Sequence, residues 1–108
     1  MKSFTGLVLC NWHDKGINVH VHADLQNGEL TLSGYDSGSS VERIWGDADY
    51  EYWYELDKEN TEKLLSVIHG EEDPKAALLR EFNGEGGCRV LRELCKNNGI
   101  QYKFHSYV

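Results

Sequence analysis

Strict alternation of apolar and polar residues in the segment INVHVHADL (17–25) is the feature that most constrains how this chain folds. A strand that lies with one face on a core produces this pattern, because successive side chains point to opposite faces. Asn27-Gly28 separates this segment from ELTLSGYD, which alternates as well. Asn-Gly tolerates the two positive φ angles of a type I′ turn, so the sequence predicts an antiparallel hairpin here. The preceding segment, FTGLVLCNWH, predicts a further strand, joined through the turn HDKG.

The segment DYEYWYEL (49–56) predicts another strand, with one aromatic side and one acidic side. Its two alternating sets are Tyr50, Tyr52, Tyr54 and Leu56, and Asp49, Glu51, Trp53 and Glu55. If the tyrosines face the core, Trp53 lies outward between two carboxylates. Ahead of this strand, SGSSVERIWG (37–46) combines serine N-cap residues with a glycine stop, which predicts one short helical turn.

From Asp57 onward the apolar residues recur with helical spacing. Asp57 is placed to cap the helix KENTEKLLSVIHG, whose final glycine is expected to end it. Asp73 and Pro74 form a cap and an N1 proline ahead of a second helix, PKAALLREF. NGEGG interrupts this helix, and CRVLRELCKNN resumes the pattern up to Gly99, which is expected to adopt the αL conformation. The segment IQYKFHSYV alternates again and predicts a closing strand.

These elements predict an α+β fold, because a run of strands is followed by a run of helices and a final strand. We expect a single domain over residues 1–108, which is an ordinary length for one domain. The expected architecture is a mainly antiparallel sheet of four to five strands with two to three helices packed on one face.

Composition narrows the classes of partner. The formal net charge is −7, and a nucleic-acid binder needs a basic face, so the charge argues against nucleic acid and favours a basic protein partner. Three cysteines are an odd number, which excludes a complete disulfide framework and favours reduced thiols in the cytoplasm. Cys10 alternates with apolar residues and is expected to be a buried hydrophobe rather than a nucleophile. Neither a signal peptide nor a segment of transmembrane length is evident, so no membrane partner is expected.

His20, His22 and Asp24 share the polar side of one predicted strand, where alternate side chains project the same way at a spacing of about 6–7 Å. Histidines in this arrangement can bind zinc, although a catalytic site also needs a further ligand and an orienting second shell. The string HVHADL resembles the metallo-hydrolase motif H-x-H-x-D-H, which implies metal-dependent hydrolysis. That family has a further histidine where this chain has Leu25. The solvated side of a half-buried strand explains the same residues, and we therefore expect no cofactor.

The segment ERIWGDADYEYWYELD (42–57) combines six carboxylates and five aromatic residues with one arginine. Aromatic rings supply rigid contact area, and carboxylates steer and orient a basic partner. An exposed Trp53 among acids would be a hot spot for an arginine or lysine, unless the helices or chain termini cover it. The candidate partner-binding residues are Trp45, Asp47, Asp49, Glu51, Trp53 and Glu55.

The run from LSGYD through WGDADYEYWYELDKENTEKLLSVI resembles small acidic bacterial proteins of unassigned function. Those proteins carry a stretch like Gly34-Tyr35-Asp36, then WGDxDYEYW, then a helix with paired leucines, and they end with a segment like NNGIQYKFHSY. The resemblance transfers no catalytic residue. By size and charge alone, such proteins are similar to the immunity partners of bacterial toxins.

Two functional hypotheses follow from these features. The first is a non-enzymatic protein-binding domain whose acidic, aromatic surface contacts a basic protein, with neutralisation of a nuclease toxin as the specific role. The alternative is a small metal-dependent enzyme that uses the His-x-His-x-Asp side of a strand. An exposed strand face could also be the seam of an oligomer, and the oligomeric state is left open.

Overall fold

The structure is a computed structural model that describes residues 3–14, 16–38 and 49–107. These residues form five strands and three helices. The elements in chain order are β1 (Phe4–Asp14), β2 (Ile17–Gln26), β3 (Glu29–Ser37), β4 (Asp49–Leu56), α1 (Lys58–Val67), α2 (Pro74–Phe82), α3 (Gly87–Asn98) and β5 (Lys103–Tyr107). The short helical turn predicted within SGSSVERIWG falls on 39–46, which lie outside the described residues.

The five strands form one antiparallel sheet in the order β1-β2-β3-β4-β5. Strands β2 and β3 meet at a tight turn in which Asn27 has φ 55° and Gly28 has φ 77°, as the Asn-Gly pair predicted. After the three helices the chain returns to the sheet as β5, which pairs with β4. Residues 51–55 and residues 103–107 therefore lie side by side. The α+β fold with an antiparallel sheet is therefore confirmed.

Alternation along the strands divides the sheet into two faces, and the helices cover only one of them. We call the covered side the inner face; its residues join those of the helices in a single hydrophobic core. The inner face includes Val21, Ala23, Leu25, Leu30, Leu32, Tyr52, Tyr54 and Leu56. We call the opposite side the outer face. It includes His20, His22, Asp24, Thr31, Ser33, Tyr35, Asp49, Glu51, Trp53, Glu55, Lys103, His105 and Tyr107.

The predicted helix caps are present. The Asp57 carboxylate accepts a hydrogen bond from the Asn60 N–H at 2.9 Å, and the Asp73 carboxylate accepts one from the Ala76 N–H at 3.2 Å. Gly99 ends α3 in the left-handed conformation with φ 65°. Side-chain oxygens satisfy N–H groups that the first turn of a helix leaves without partners, so the two aspartates define where α1 and α2 begin.

Helix α1 ends earlier than its glycine predicted. It stops at Val67, and His69 rather than Gly70 takes the left-handed conformation, with φ 57°. The Gly70 N–H donates to the Leu65 carbonyl at 2.7 Å, which completes a Schellman-type ending. A Cβ atom at position 70 would lie 2.7 Å from the Cβ of Ala77. Glycine is therefore required here by the close approach of α2, while the left-handed residue at the end of the helix is His69.

Thr61 attaches α1 to the sheet. Its side chain is fully buried, and its hydroxyl accepts a hydrogen bond from the Leu30 N–H at 3.1 Å and donates one to the Leu56 carbonyl at 3.2 Å. Both backbone groups lie at strand ends, where they need partners once the helix excludes water. One hydroxyl thus fixes the helix against the ends of β3 and β4.

Candidate functional site

Trp53 lies on the outer face, on the side of the sheet opposite the helices. In the strand register it is placed between Ser33 of β3 and His105 of β5, and its side chain is partly exposed. The helices therefore do not cover it. A shallow depression of about 360 Å³ opens beside it; its lining residues are His20, His22, Ser33, Gly34, Tyr35, Glu51 and Trp53.

Three carboxylates accompany Trp53 along β4, because residues two apart in a strand share a face. The Asp49 carboxylate accepts a hydrogen bond from the Tyr35 hydroxyl at 2.7 Å, which holds it at the end of the strand. Glu55 lies at the other end, where its Oε1 is 3.2 Å from Nε2 of His105. Glu51 lies between Asp49 and Trp53 and is half-buried. The indole thus has carboxylates on both sides along its own strand.

The structure places four of the six candidate partner-binding residues together, namely Asp49, Glu51, Trp53 and Glu55. The other two, Trp45 and Asp47, lie outside the described residues. Tyr35 and His105 belong to the same surface, yet sequence reasoning did not connect them with Trp53. Each comes from a different strand, and only the register of β3 and β5 against β4 brings them there.

His20, His22 and Asp24 also lie side by side on the outer face. The ring centroids of the two histidines are 5.9 Å apart, and Nε2 of His22 is 3.8 Å from Oδ2 of Asp24. The other carboxylate oxygen of Asp24 accepts a hydrogen bond from the Gly6 N–H at 2.7 Å, at a bulge of β1 where Gly6 has φ 67°. Asp24 therefore has a structural role in joining the two strands.

Within the ranges 3–14, 16–38 and 49–107, no group of three or more His, Cys, Asp or Glu side chains is arranged to hold a metal ion. Metal binding by His20, His22 and Asp24 stays the alternative hypothesis from the sequence.

A second polar cleft, of about 260 Å³, lies between the inner face and α3. There the Tyr52 hydroxyl donates to Asp36 at 3.0 Å, and the Arg92 guanidinium donates to the Tyr54 hydroxyl at 2.7 Å. Burial raises the pKa of Asp36, and this hydrogen bond from Tyr52 partly offsets the shift. Burial likewise raises the pKa of Tyr52. Gly34 makes the first contact possible, because a Cβ atom there would lie 2.0 Å from the Tyr52 ring.

The three cysteines do not have the environment of a nucleophile. Burial raises the pKa of Cys10, and it raises the pKa of both Cys88 and Cys95 to about 11. At neutral pH these thiols are protonated, and the thiolate is the reactive form. Cys10 and Cys95 are buried, and they pack as small hydrophobic residues.

Comparison with family models, with curated proteins and with solved structures found no significant match to this chain. The resemblance to small acidic bacterial proteins therefore stays a prediction, and function is inferred from the side chains and their arrangement. Among the described residues, no helix is long and apolar enough to cross a membrane.

Proposed function

We propose that this chain is a protein-binding domain whose outer face contacts a basic protein. One observation carries the proposal: Trp53 is partly exposed between alternate carboxylates, on a sheet face that the helices leave open. Tryptophan contributes more binding energy per residue than most side chains at protein interfaces. A partly exposed indole also has an unburied surface that a partner can cover.

The charge of this face selects for a basic partner. The outer face includes the carboxylates of Asp24, Asp49, Glu51 and Glu55, and against them the ammonium group of Lys103. The whole chain has a net charge of −7, so its long-range field acts in the same direction. Complementary charge raises the association rate and fixes the orientation of the partner, and an arginine or lysine can stack on the indole between the acids.

The specific partner that best fits this chemistry is a nuclease toxin, with this chain as its immunity protein in the bacterial cytoplasm. A nuclease that grips phosphates presents a basic active-site surface. A surface of carboxylates around an aromatic anchor competes for that surface and blocks nucleic acid from reaching it. Binding of this type needs no catalytic group on the present chain.

The test is a Trp53→Ala variant measured against basic nuclease toxins, beginning with the product of any toxin-like reading frame next to the gene. We expect at least a 30-fold loss of affinity by calorimetry, equivalent to about 2 kcal/mol for a hot-spot residue. Val90→Ala is the matched control, because Val90 is an exposed apolar residue on α3, away from the outer face. Circular dichroism of both variants checks that the fold is intact.

A second variant separates the electrostatic steering of the partner by the carboxylates from the packing of the partner against Trp53. Replacing Glu51 and Glu55 together by Gln should lower the association rate and flatten its dependence on salt, whereas Glu93→Gln on α3 should change neither. If Trp53→Ala binds as tightly as the unmodified chain, the outer face is not the docking surface. If no basic nuclease binds and none is inhibited, the immunity role is rejected.

A further inference from the structure

The two edges of the sheet differ in how well they are protected against pairing with another strand. Edge strand β1 has two register shifts against β2, between Phe4 and Leu7 and between Val8 and Cys10. Bulges of this kind twist an edge strand and interrupt its row of hydrogen-bonding groups, which discourages pairing. Edge strand β5 pairs with β4 in continuous register from Lys103 to Tyr107, without a bulge or a proline.

Strand β5 also exposes apolar side chains on both faces of the sheet. All five of its residues are exposed. Phe104 is 47% exposed on the inner side, and Tyr107 is 71% exposed on the outer side. An exposed, regular edge strand with aromatic side chains is a template for a further strand, because its outward backbone groups are available for ladder hydrogen bonds.

We propose that β5 pairs with β5 of a second copy of this chain, in antiparallel orientation about a two-fold axis at His105. Residues directly opposite each other in a sheet point to the same face, whereas odd- and even-numbered residues of β5 point to opposite faces. Two antiparallel copies of β5 about a two-fold axis can therefore pair only in registers that place odd-numbered residues opposite odd-numbered ones and even-numbered opposite even-numbered ones. Of these registers, the one centred on His105 pairs all five residues. The result is a continuous ten-stranded sheet with the helices of both copies on the same side.

The side chains that this register brings together are complementary. Lys103 lies opposite Tyr107 of the second copy, where the ammonium can approach the exposed ring, and Glu51 lies beside Tyr107 on β4. Phe104 lies opposite Ser106, so the two exposed phenylalanines meet diagonally within reach of each other. Each copy thereby covers the aromatic residues that the other leaves in solvent.

A five-residue strand pair forms a small interface, so we expect a weak dimer with a dissociation constant on the order of 10–100 μM. Trp53 lies on β4, one strand in from the edge, and stays open in the dimer, although His105 of the same surface lies at the two-fold axis. The dimer and the proposed partner binding can therefore be tested separately, and either can fail without the other.

Sedimentation velocity of the full chain from about 5 to 500 μM tests the dimer. We expect the sedimentation coefficient to rise toward that of a dimer, with the midpoint in the range given by the weak-interface estimate. Tyr107→Lys should weaken the dimer at least 10-fold, because it places a lysine opposite Lys103 of the second copy. Val8→Lys is the matched control: Val8 is 48% exposed on β1, so the same change at the other edge should leave dimerisation intact.

Cross-linking tests the register. His105→Cys places two cysteines directly opposite each other, at the Cα separation of about 4.5–5.5 Å that a disulfide can span. We expect a covalent dimer under mild oxidation, and none with Lys103→Cys, whose counterpart is Tyr107. The unmodified chain is the background control for the native thiols, of which Cys10 and Cys95 are buried and Cys88 is partly exposed.

Three outcomes would overturn the proposal. If the chain stays a monomer at every concentration, β5 does not pair with a second copy, and its open edge could pair only with a strand of another protein. A dimer that survives Tyr107→Lys but is lost in Val8→Lys would place the contact at β1. A covalent dimer from Lys103→Cys without one from His105→Cys would reject the register.

Discussion

The inner and outer faces are built from the same strands, yet different forces hold their side chains. Leu32 and Ser33 are neighbours in β3; Leu32 is completely buried under the helices, whereas Ser33 is partly exposed beside Trp53. Inner side chains are fixed by packing, which penalises any change of volume. Outer side chains are held by a few polar contacts, such as the one between Tyr35 and Asp49. Stability is therefore concentrated on one face, and the other is free to vary for binding.

The largest effect is expected when the packing of the inner face is broken. Leu32→Ala should lower the free energy of unfolding by about 2–5 kcal/mol, because it removes apolar contacts and leaves a cavity beneath the helices. Ser33→Ala, at the next position on the outer face, should change it by less than about 0.5 kcal/mol. Urea unfolding followed by tryptophan fluorescence measures both. Equal losses in the two variants would contradict the division into two faces.

An intermediate effect is expected at the attachment of α1. Thr61→Val keeps the side-chain shape but removes the hydroxyl, which leaves the Leu30 N–H and the Leu56 carbonyl without this partner. The cost should be about 1–3 kcal/mol in the free energy of unfolding. Thr31→Val is the matched control, because Thr31 lies partly exposed on the outer face. A loss at Thr31 as large as that at Thr61 would show that removal of a hydroxyl is costly on either face.

A smaller effect, with a defined pH dependence, is expected at Asp36. Its pKa is raised in the folded state above the ordinary value of 3.8, chiefly by burial, so folding favours the protonated form. This contribution to stability is full below the ordinary pKa and is lost as the pH rises through the raised value. Asp36→Asn stays neutral and can still accept from Tyr52. It should therefore gain stability relative to the unmodified chain above about pH 4, by less than about 1 kcal/mol after solvent screening.

Unfolding curves between pH 3 and pH 8 measure this difference. An advantage of Asp36→Asn that grows toward acid pH would contradict the assigned direction of the pKa shift.

The smallest effect is expected from adding zinc. One oxygen of Asp24 already accepts from the Gly6 N–H, so His20 and His22 are the nitrogen ligands left to attract a metal. We expect zinc to shift the melting temperature of tag-free protein little, and His20→Ala to leave that response almost unchanged. Stoichiometric zinc that copurifies with the chain and is lost in His20→Ala would instead favour the metal-dependent enzyme.

Much of the local structure was predictable because its causes act over a few residues. Asn27 and Gly28 have the chemistry of a hairpin turn, Asp57 and Asp73 cap the helices that follow them, and alternation along β4 orients Trp53. The side of the sheet on which Trp53 lies could be read in this way. Predicting that Trp53 is exposed also required knowing that the helices cover the opposite side of the sheet.

The errors and omissions arose where a cause lies far away in the sequence. Helix α1 ends at Val67, before its glycine, and Gly70 is required by the approach of Ala77 from the next helix. Thr61 reads as an ordinary helical residue until the ends of β3 and β4 are placed around it. The residues next to Gly70 and Thr61 in the sequence do not indicate which helix or strand lies against each position.

The sequence by itself determined the alternating strands, the turn, the helix caps and the acidic character of the chain, because these follow from backbone sterics, short-range hydrogen bonds and composition. Only the tertiary structure decided that Tyr35, Trp53 and His105 share one surface and that β5 forms a regular, open edge. Strand order is a long-range property. It is selected by the joint burial of inner-face residues against the helices, and it places the outer-face residues beside one another as a consequence.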